Sequence, residues 1–334
     1  MKKRMNKIIS LITKNKRKVV LLTIIFLMIF TSAFIYINLT NPTKINSMIA
    51  SVINKGAPAN KAFDDDVFYK AVVDAYNKEN KTSLPYTTNL TDEQLSTITS
   101  ISYDDLFKPS NEKITSAKGL GKLTNLTYLN LGYNNISSID VSNNTALIDL
   151  DLRYNNISSI DLSNNTALTT LDLGHNNLSE IDLSNNTALK TLFLYSNNLN
   201  NIDLSNNTAL KALYLDSNNL NNIDLSNNTA LTTLDLGGNN ISEIDLSKNT
   251  SLTSLDLGGN NLNSINLSKN TSLISLDLRL NNLSSIDLSN NTALTTLDLN
   301  SNNISSIDVS KNTALKRLEL YNNPLSLGEY RLIK

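Results

Sequence analysis

Between Leu126 and Leu315 the chain repeats itself every 21 residues, and that period constrains its fold more than any other feature. The opening leucines are Leu126, Leu147, Leu168, Leu189, Leu210, Leu231, Leu252, Leu273, Leu294 and Leu315. Each begins a unit of the form L-x-x-L-x-L-x-x-N-N-[L/I]-x-x-I-[D/N]-[L/V]-S-x-N-T-[A/S], which the last copy leaves at Pro324. Positions 1, 4, 6, 11, 14 and 16 are aliphatic and are expected to point inward. One unit cannot bury so many such side chains alone, whereas stacked neighbours can. Positions 3 to 6 alternate outward and inward, the period of a short strand, so successive units predict a parallel sheet. At ~4.8 Å between strands, the copies form a solenoid on the order of 50 Å long.

The polar positions are as regular. Position 9 is Asn in every copy, from Asn134 and Asn155 to Asn302 and Asn323. The chain must turn there, and an amide side chain can both donate to and accept from the backbone groups that leave the sheet. A buried structural ladder is expected. In the second half, Ser142, Asn144, Thr145 and their copies are expected to cap the return stretch by local side-chain to backbone bonds. Asn143-Asn144-Thr145 and its copies are formal glycosylation sequons, but turn chemistry accounts for their recurrence. Asp140 and its copies read as surface residues.

A period of this length with this consensus is the leucine-rich-repeat signature. The unit ending in I-D-L-S-x-N-T-A resembles those of internalins, exported surface proteins of Gram-positive bacteria, and is most similar to the internalin J type. That type carries Cys at position 6, where this chain has Leu131, Leu152, Leu173 and their copies. The resemblance runs from about residue 63 to 326. Upstream, Phe63–Tyr76 reads as an amphipathic helix, with Asp64-Asp65-Asp66 at its opening, and Asn89–Leu95 as a second helix. Thr91 and Gln94 have capping-box spacing. Ile98–Ile101 and Ile114–Leu126 look like a degenerate first repeat behind a cap that covers the end of the stack. The resemblance implies surface display and recognition of a protein partner. The chain carries no wall-sorting motif, for which a membrane anchor would substitute.

The expected architecture is an α/β solenoid, a leucine-rich-repeat horseshoe with a parallel β-sheet on its concave face, a small helical N-terminal cap and an N-terminal transmembrane helix. Residues 1–18 hold eight Lys and Arg with no acid, so the rest of the chain sums to −9. Residues 19–37 follow as an unbroken apolar run. At 1.5 Å per residue it spans roughly 28 Å, a bilayer's hydrocarbon thickness, with its basic end held in the cytoplasm. The run suits an uncleaved signal anchor; a signal peptide cleaved after Thr31-Ser32-Ala33 or at Ala50 is the other reading. Either way the body is translocated, single-pass with an extracellular C-terminal domain or secreted. Residues 38–62 form a linker, 63–125 the cap and first repeat, 126–326 the repeats and 327–334 a tail.

A partner would meet the outward positions. Position 5 reads Asn130, Asp151, Asp172, Phe193, Tyr214, Asp235, Asp256, Asp277, Asp298 and Glu319. Positions 7 and 8 add Tyr133, Arg153, Tyr154, His175, Tyr195 and Asp216 to the region. Aromatic rings beside an Arg and rimmed by charge have the composition of a binding hot spot. The candidate contact residues are Arg153, Tyr154, His175, Phe193, Tyr195, Tyr214 and Asp216. Drift on a tolerant surface is the plainer account of them. The column Asp235, Asp256, Asp277, Asp298 and Glu319 suits a basic partner or a cation, or simply keeps an exposed strand soluble.

Catalysis is not expected. With no Cys and one His there is no thiol nucleophile or multi-histidine metal site, and no G-x-S-x-G elbow occurs. No cofactor or metal is implied. Nucleic acid is disfavoured by the acidic body. A protein partner is expected, and glycan binding without turnover is the alternative, because aromatic rings beside carboxylates also suit sugars.

Overall fold

The computed structural model describes residues 60–104 and 106–325, which belong to a compact unit spanning 58–334. The expected basic segment, the apolar run 19–37, linker residues 38–59 and the tail lie outside the described residues. Among the described residues, no helix is long and apolar enough to cross a membrane.

Two helices come first. Helix α1 spans Asp66–Asn80 and α2 spans Asp92–Ser96. Helix α1 starts after Phe63 because Asp65 is its cap, with Oδ1 accepting the Phe68 N–H at 2.9 Å. The Thr91 capping box of α2 is complete: its hydroxyl accepts from Gln94 N, and Gln94 Oε1 accepts from Thr91 N. Phe68, Tyr69, Val72 and Val73 of α1 join the same buried cluster as the leucines of the repeats.

The sheet has eleven parallel strands in chain order. They are β1 Ser100–Ser102, β2 Tyr128–Asn130, β3 Asp149–Asp151, β4 Thr170–Asp172, β5 Thr191–Phe193 and β6 Ala212–Tyr214. They continue as β7 Thr233–Asp235, β8 Ser254–Asp256, β9 Ser275–Asp277, β10 Thr296–Asp298 and β11 Arg317–Glu319. Strand β1 belongs to the degenerate repeat around Ile101. Its outer side is occupied by Glu79 of α1, which accepts the N–H groups of Thr99 and Ser100 at 3.0 Å. From β2 on, register advances one repeat per strand, so Phe193 lies beside Tyr214 and Tyr214 beside Asp235.

Inward positions behave as the pattern demands, except at position 14 and at the C-terminal end of the stack, where Val309, Leu315 and Leu318 are only partly buried. Leu189, Leu192, Leu194, Leu199 and Leu204, at positions 1, 4, 6, 11 and 16 of one unit, are buried. Position 14 is only partly buried throughout, from Ile139 to Ile307. These isoleucines precede the Asp-x-Ser turn, where the return stretch meets solvent, and Ile202 and Ile223 floor a shallow groove beside Asp203 and Asp224.

Two asparagine ladders bind the rungs together. At position 9, Asn218 Oδ1 accepts from Leu199 N in the preceding rung at 3.0 Å. Its Nδ2 donates to Leu194 O at 2.9 Å and to Leu215 O at 3.1 Å. The second ladder, at position 19, departs from the expected local capping. Asn207 reaches back one rung, donating to Leu183 O and Asn186 O at 3.0 Å each, while its buried Oδ1 has no hydrogen-bond partner. Local capping falls instead to position 15: Asp203 Oδ1 accepts the Ser205 N–H at 2.9 Å. That bond, with a second from the serine hydroxyl, holds the Asp203 carboxyl below its usual range, as at Asp161 and Asp182; at Asp140 the Ser142 hydroxyl is the larger cause and its N–H the smaller.

Candidate functional site

The path from each strand to its position-9 Asn fixes the backbone of position 8. That residue is left-handed in every repeat, with φ between 51° and 65°. Glycine fits this conformation without strain, as at Gly238 and Gly259. Yet Tyr133, Tyr154 and His175 occupy it in three consecutive rungs. A bulky side chain in that region costs about 1–3 kcal/mol, so the backbone gives no reason for rings there.

The rings form a continuous track. Tyr133 stacks on Tyr154 with centroids 4.5 Å apart, and Tyr154 on His175 at 4.0 Å. Tyr195 then meets His175 edge-on at 5.2 Å and Phe193 edge-on at 6.4 Å. Phe193 stacks on Tyr214 at 4.7 Å. Through Tyr195 the track crosses from the position-8 row to the position-5 row. Gly174 permits this crossing, since a Cβ there would lie 2.3 Å from the Tyr195 ring. Tyr154 is the most open ring, 38% exposed, and the others are half-buried.

Position 5 has a structural duty that the track gives up. Asp151, Asp172, Asp235, Asp256, Asp277 and Asp298 each accept the N–H of position 7 through Oδ1, at 2.8 to 3.1 Å. Asn130 does the same for Gly132. The acidic column is thus accounted for, from Asp235 to Asp298, by turn geometry within each rung. Phe193 and Tyr214 cannot supply that acceptor, a loss of about 1 kcal/mol each. At Tyr214 the neighbouring Asp216 carboxylate takes up its own N–H instead.

The carboxylates are not fully hydrated. Burial pushes Asp172 up to about 6, opposed by the Gly174 N–H bond. Burial likewise raises Asp151, Asp216, Asp235, Asp256 and Asp277. It also raises the Tyr195 phenol, with Asp172 adding to the effect. Arg153 lies among Asp151 at 3.5 Å, Asp172 at 3.7 Å and Asp104 at 4.0 Å, and its guanidinium carbon is 5.5 Å from the Tyr133 ring centre. Glu319 pairs with Arg317 at 3.2 Å.

All five candidate rings therefore share one connected surface with Arg153, and Asp216 lies beside its Tyr214 end. The candidate set omits Tyr133, which heads the track; its place in the same row as Tyr154 and His175 was the available signal. It also omits Asp104, which the register of β1 places at position 7 of the degenerate repeat, where the sequence pattern is too irregular to number it. Among the described residues, no group of three or more His, Cys, Asp or Glu could hold a metal ion.

A family model described as Leucine Rich repeat matches residues 122–142, 164–180, 227–246, 248–265, 269–289 and 290–311. With the stacked parallel strands, this defines a leucine-rich-repeat protein. The chain is similar to the functional domain of InlJ from Listeria monocytogenes, which includes a cysteine ladder, at 30% identity and a TM-score of 0.65. That match covers 80% of this chain, which spans 61% of the InlJ domain. It is also similar to the internalin InlF from Listeria monocytogenes, at 28% identity and a TM-score of 0.51, over 81% of this chain and 93% of that one. The leucine-rich repeat domain of APL1B, 23% identical with a TM-score of 0.53 over 66% of this chain and 75% of that one, shares the fold. No curated protein matches in sequence. Within that class the chain is similar to the internalins in its repeats and in its solenoid fold.

Proposed function

We propose that the chain is a surface-displayed recognition module that captures a protein partner on the aromatic track from Tyr133 to Tyr214, without catalysis. One observation carries this reading. Tyr133, Tyr154 and His175 sit where the backbone favours glycine, and Phe193 and Tyr214 stand where neighbouring rungs hold a hydrogen-bonding Asp. Stability explains neither choice, whereas rigid, half-buried rings beside an Arg suit a docking surface. Helices α1 and α2 serve as the N-terminal cap of the stack. The basic and then apolar start of the chain supports display on the outer side of a membrane, anchored through residues 19–37 or released by cleavage.

The test is photo-crosslinking from a benzophenone analogue at Phe193 on intact cells, beside a triple variant with Phe193, Tyr195 and Tyr214 changed to Ala. A discrete crosslinked partner that the triple variant no longer captures is the expected result. Unchanged capture by a correctly folded triple variant moves the docking site elsewhere. Crosslinks that do not appear at Phe193 but do appear at Ile202, in the groove behind the sheet, overturn the assignment of the face.

A further inference from the structure

The chemistry of the partner is suggested by the way the chain treats its own arginines. Arg153 shows what this surface does with a guanidinium: it holds one beside an aromatic face and among Asp104, Asp151 and Asp172. Arg279, also at position 7, reaches Asp277 at 3.4 Å. Between them position 7 holds Gly174, Tyr195, Asp216, Gly237 and Gly258, with no cation. The same combination of rings and acids continues there: Tyr195, Phe193 and Tyr214 run into Asp216, Asp235 and Asp256. Among the described residues, no direct ion pair involves these three carboxylates, and Arg279 acts on Asp235 and Asp256 only from a distance. Lys190 and Lys211 open two of these rungs at position 2, three residues before position 5, which is about 10 Å back along the strand.

We propose that the partner docks a basic, extended segment on this stretch, with an arginine guanidinium laid against the Tyr195, Phe193 and Tyr214 rings and faced by the Asp216, Asp235 and Asp256 carboxylates. The proposal rests on the reading that the aromatic track is the docking face. Charge complementarity selects the occupant. Carboxylates already half withdrawn from water lose less hydration when a cation covers them, and a guanidinium, more weakly hydrated than an ammonium, stacks on rings while donating to acids. From Phe193 to Asp256 is three rungs, about 14 Å, which four or five extended residues span. Glycine at 237 leaves the floor of the stretch low, and the Arg279 side chain, which lies against Gly258, closes it at the far end. A Cβ at Gly237 would come within 3.3 Å of the Asp235 and Asp256 oxygens, so a side chain there would compete for the space a cation needs.

The probe is a fluorescein-labelled nonapeptide alternating Ser and Arg, titrated into the folded repeat protein at low ionic strength. It is compared with its lysine and citrulline counterparts. The arginine peptide is expected to bind roughly tenfold more tightly than the citrulline peptide, and roughly threefold more tightly than the lysine peptide. The double variant Asp235→Asn with Asp256→Asn is expected to lose most of that preference. It keeps its fold, because Asn130 already makes the equivalent bond to Gly132. Equal binding of arginine and citrulline peptides overturns the proposal. So does equal binding of arginine and lysine peptides, or an arginine preference that survives the double variant. A glycan array that binds while the peptides do not overturns it in favour of a sugar. If Phe193 crosslinking captures a protein whose binding is insensitive to the double variant, the track stands and its basic chemistry falls. If crosslinking fails as well, both fall.

Discussion

Two buried asparagines eleven residues apart should respond very differently to loss of their amides. Asn207 is fully buried and Asn218 is 6% exposed, so burial alone makes Asn207 the more damaging loss. The hydrogen bonds reverse that order. In Asn218→Ala the Leu199 N–H loses its acceptor, while Leu194 O keeps Asn197 and Leu215 O keeps Asn239 as donors. One orphaned buried donor costs about 1–3 kcal/mol, and two carbonyls reduced to a single bond add about 0.5–1 each, so about 2–5 kcal/mol is lost. In Asn207→Ala no backbone N–H is orphaned. Leu183 O still accepts from Asn186 N, and Asn186 O from Leu189 N. The substitution also removes an amide oxygen that is buried without a partner. Its cost is about 1–2 kcal/mol. Native-state amide exchange is the direct assay, supported by urea midpoints. Asn218→Ala should single out Leu199 for accelerated exchange and lower the midpoint more than Asn207→Ala does. Equal midpoints, or undiminished protection at Leu199, would refute the reasoning that inter-rung bonds, rather than depth of burial, set the cost.

Three further outcomes are expected. Gly174→Ala places a methyl group inside the Tyr195 ring position, so Tyr195 should leave His175, and partner capture should fall with little change in melting temperature; a crystal structure with the ring unmoved would contradict this. Because Asp172 is raised from 3.8 to about 6 in the fold, its contribution is fully present below the unfolded value and is lost as pH rises through the folded one. Wild type should therefore lose about 3 kcal/mol relative to Asp172→Asn between roughly pH 4 and 6, and parallel stability profiles would exclude the shift. Asp65→Ala removes the cap of α1 and the bonds from Thr115 N, the Thr115 hydroxyl and Ser116 N, and should cost about 3–5 kcal/mol by urea denaturation, with α1 exchanging first.

The strand positions, the buried leucines and the position-9 ladder were legible in the sequence because a strict period forces each residue type into one environment. The rings were legible as a group, since outward positions follow from the same period. Three features were not. Asn144 and its copies sit in a Ser-x-Asn-Thr stretch whose composition matches local turn chemistry, yet the amides reach across rungs, a distinction invisible without the stacking distance. Position 14 looks as apolar as position 16, but Ile202 lies at the solvent edge where Leu204 does not. The crossing of the track through Tyr195 depends on a missing Cβ at Gly174, a vertical relation between rungs that no spacing along the chain expresses. The Asp-to-N–H bond at position 5 recasts a charge column as a row of turn clasps.

Each amide in the two ladders ties only one rung to the one before it, over 19, 21 or 24 residues, or bonds within its own turn. Excising one whole unit between Asp235 and Glu319 would therefore rejoin both ladders without leaving an orphaned group at the seam. Length is thus separable from the ring-bearing stretch: units beyond Asp256 can be gained or lost as interchangeable spacers, while the rungs from Tyr133 to Asp256 keep their order. Selection on such a gene can change the length of the solenoid without redesigning its ring-bearing rungs.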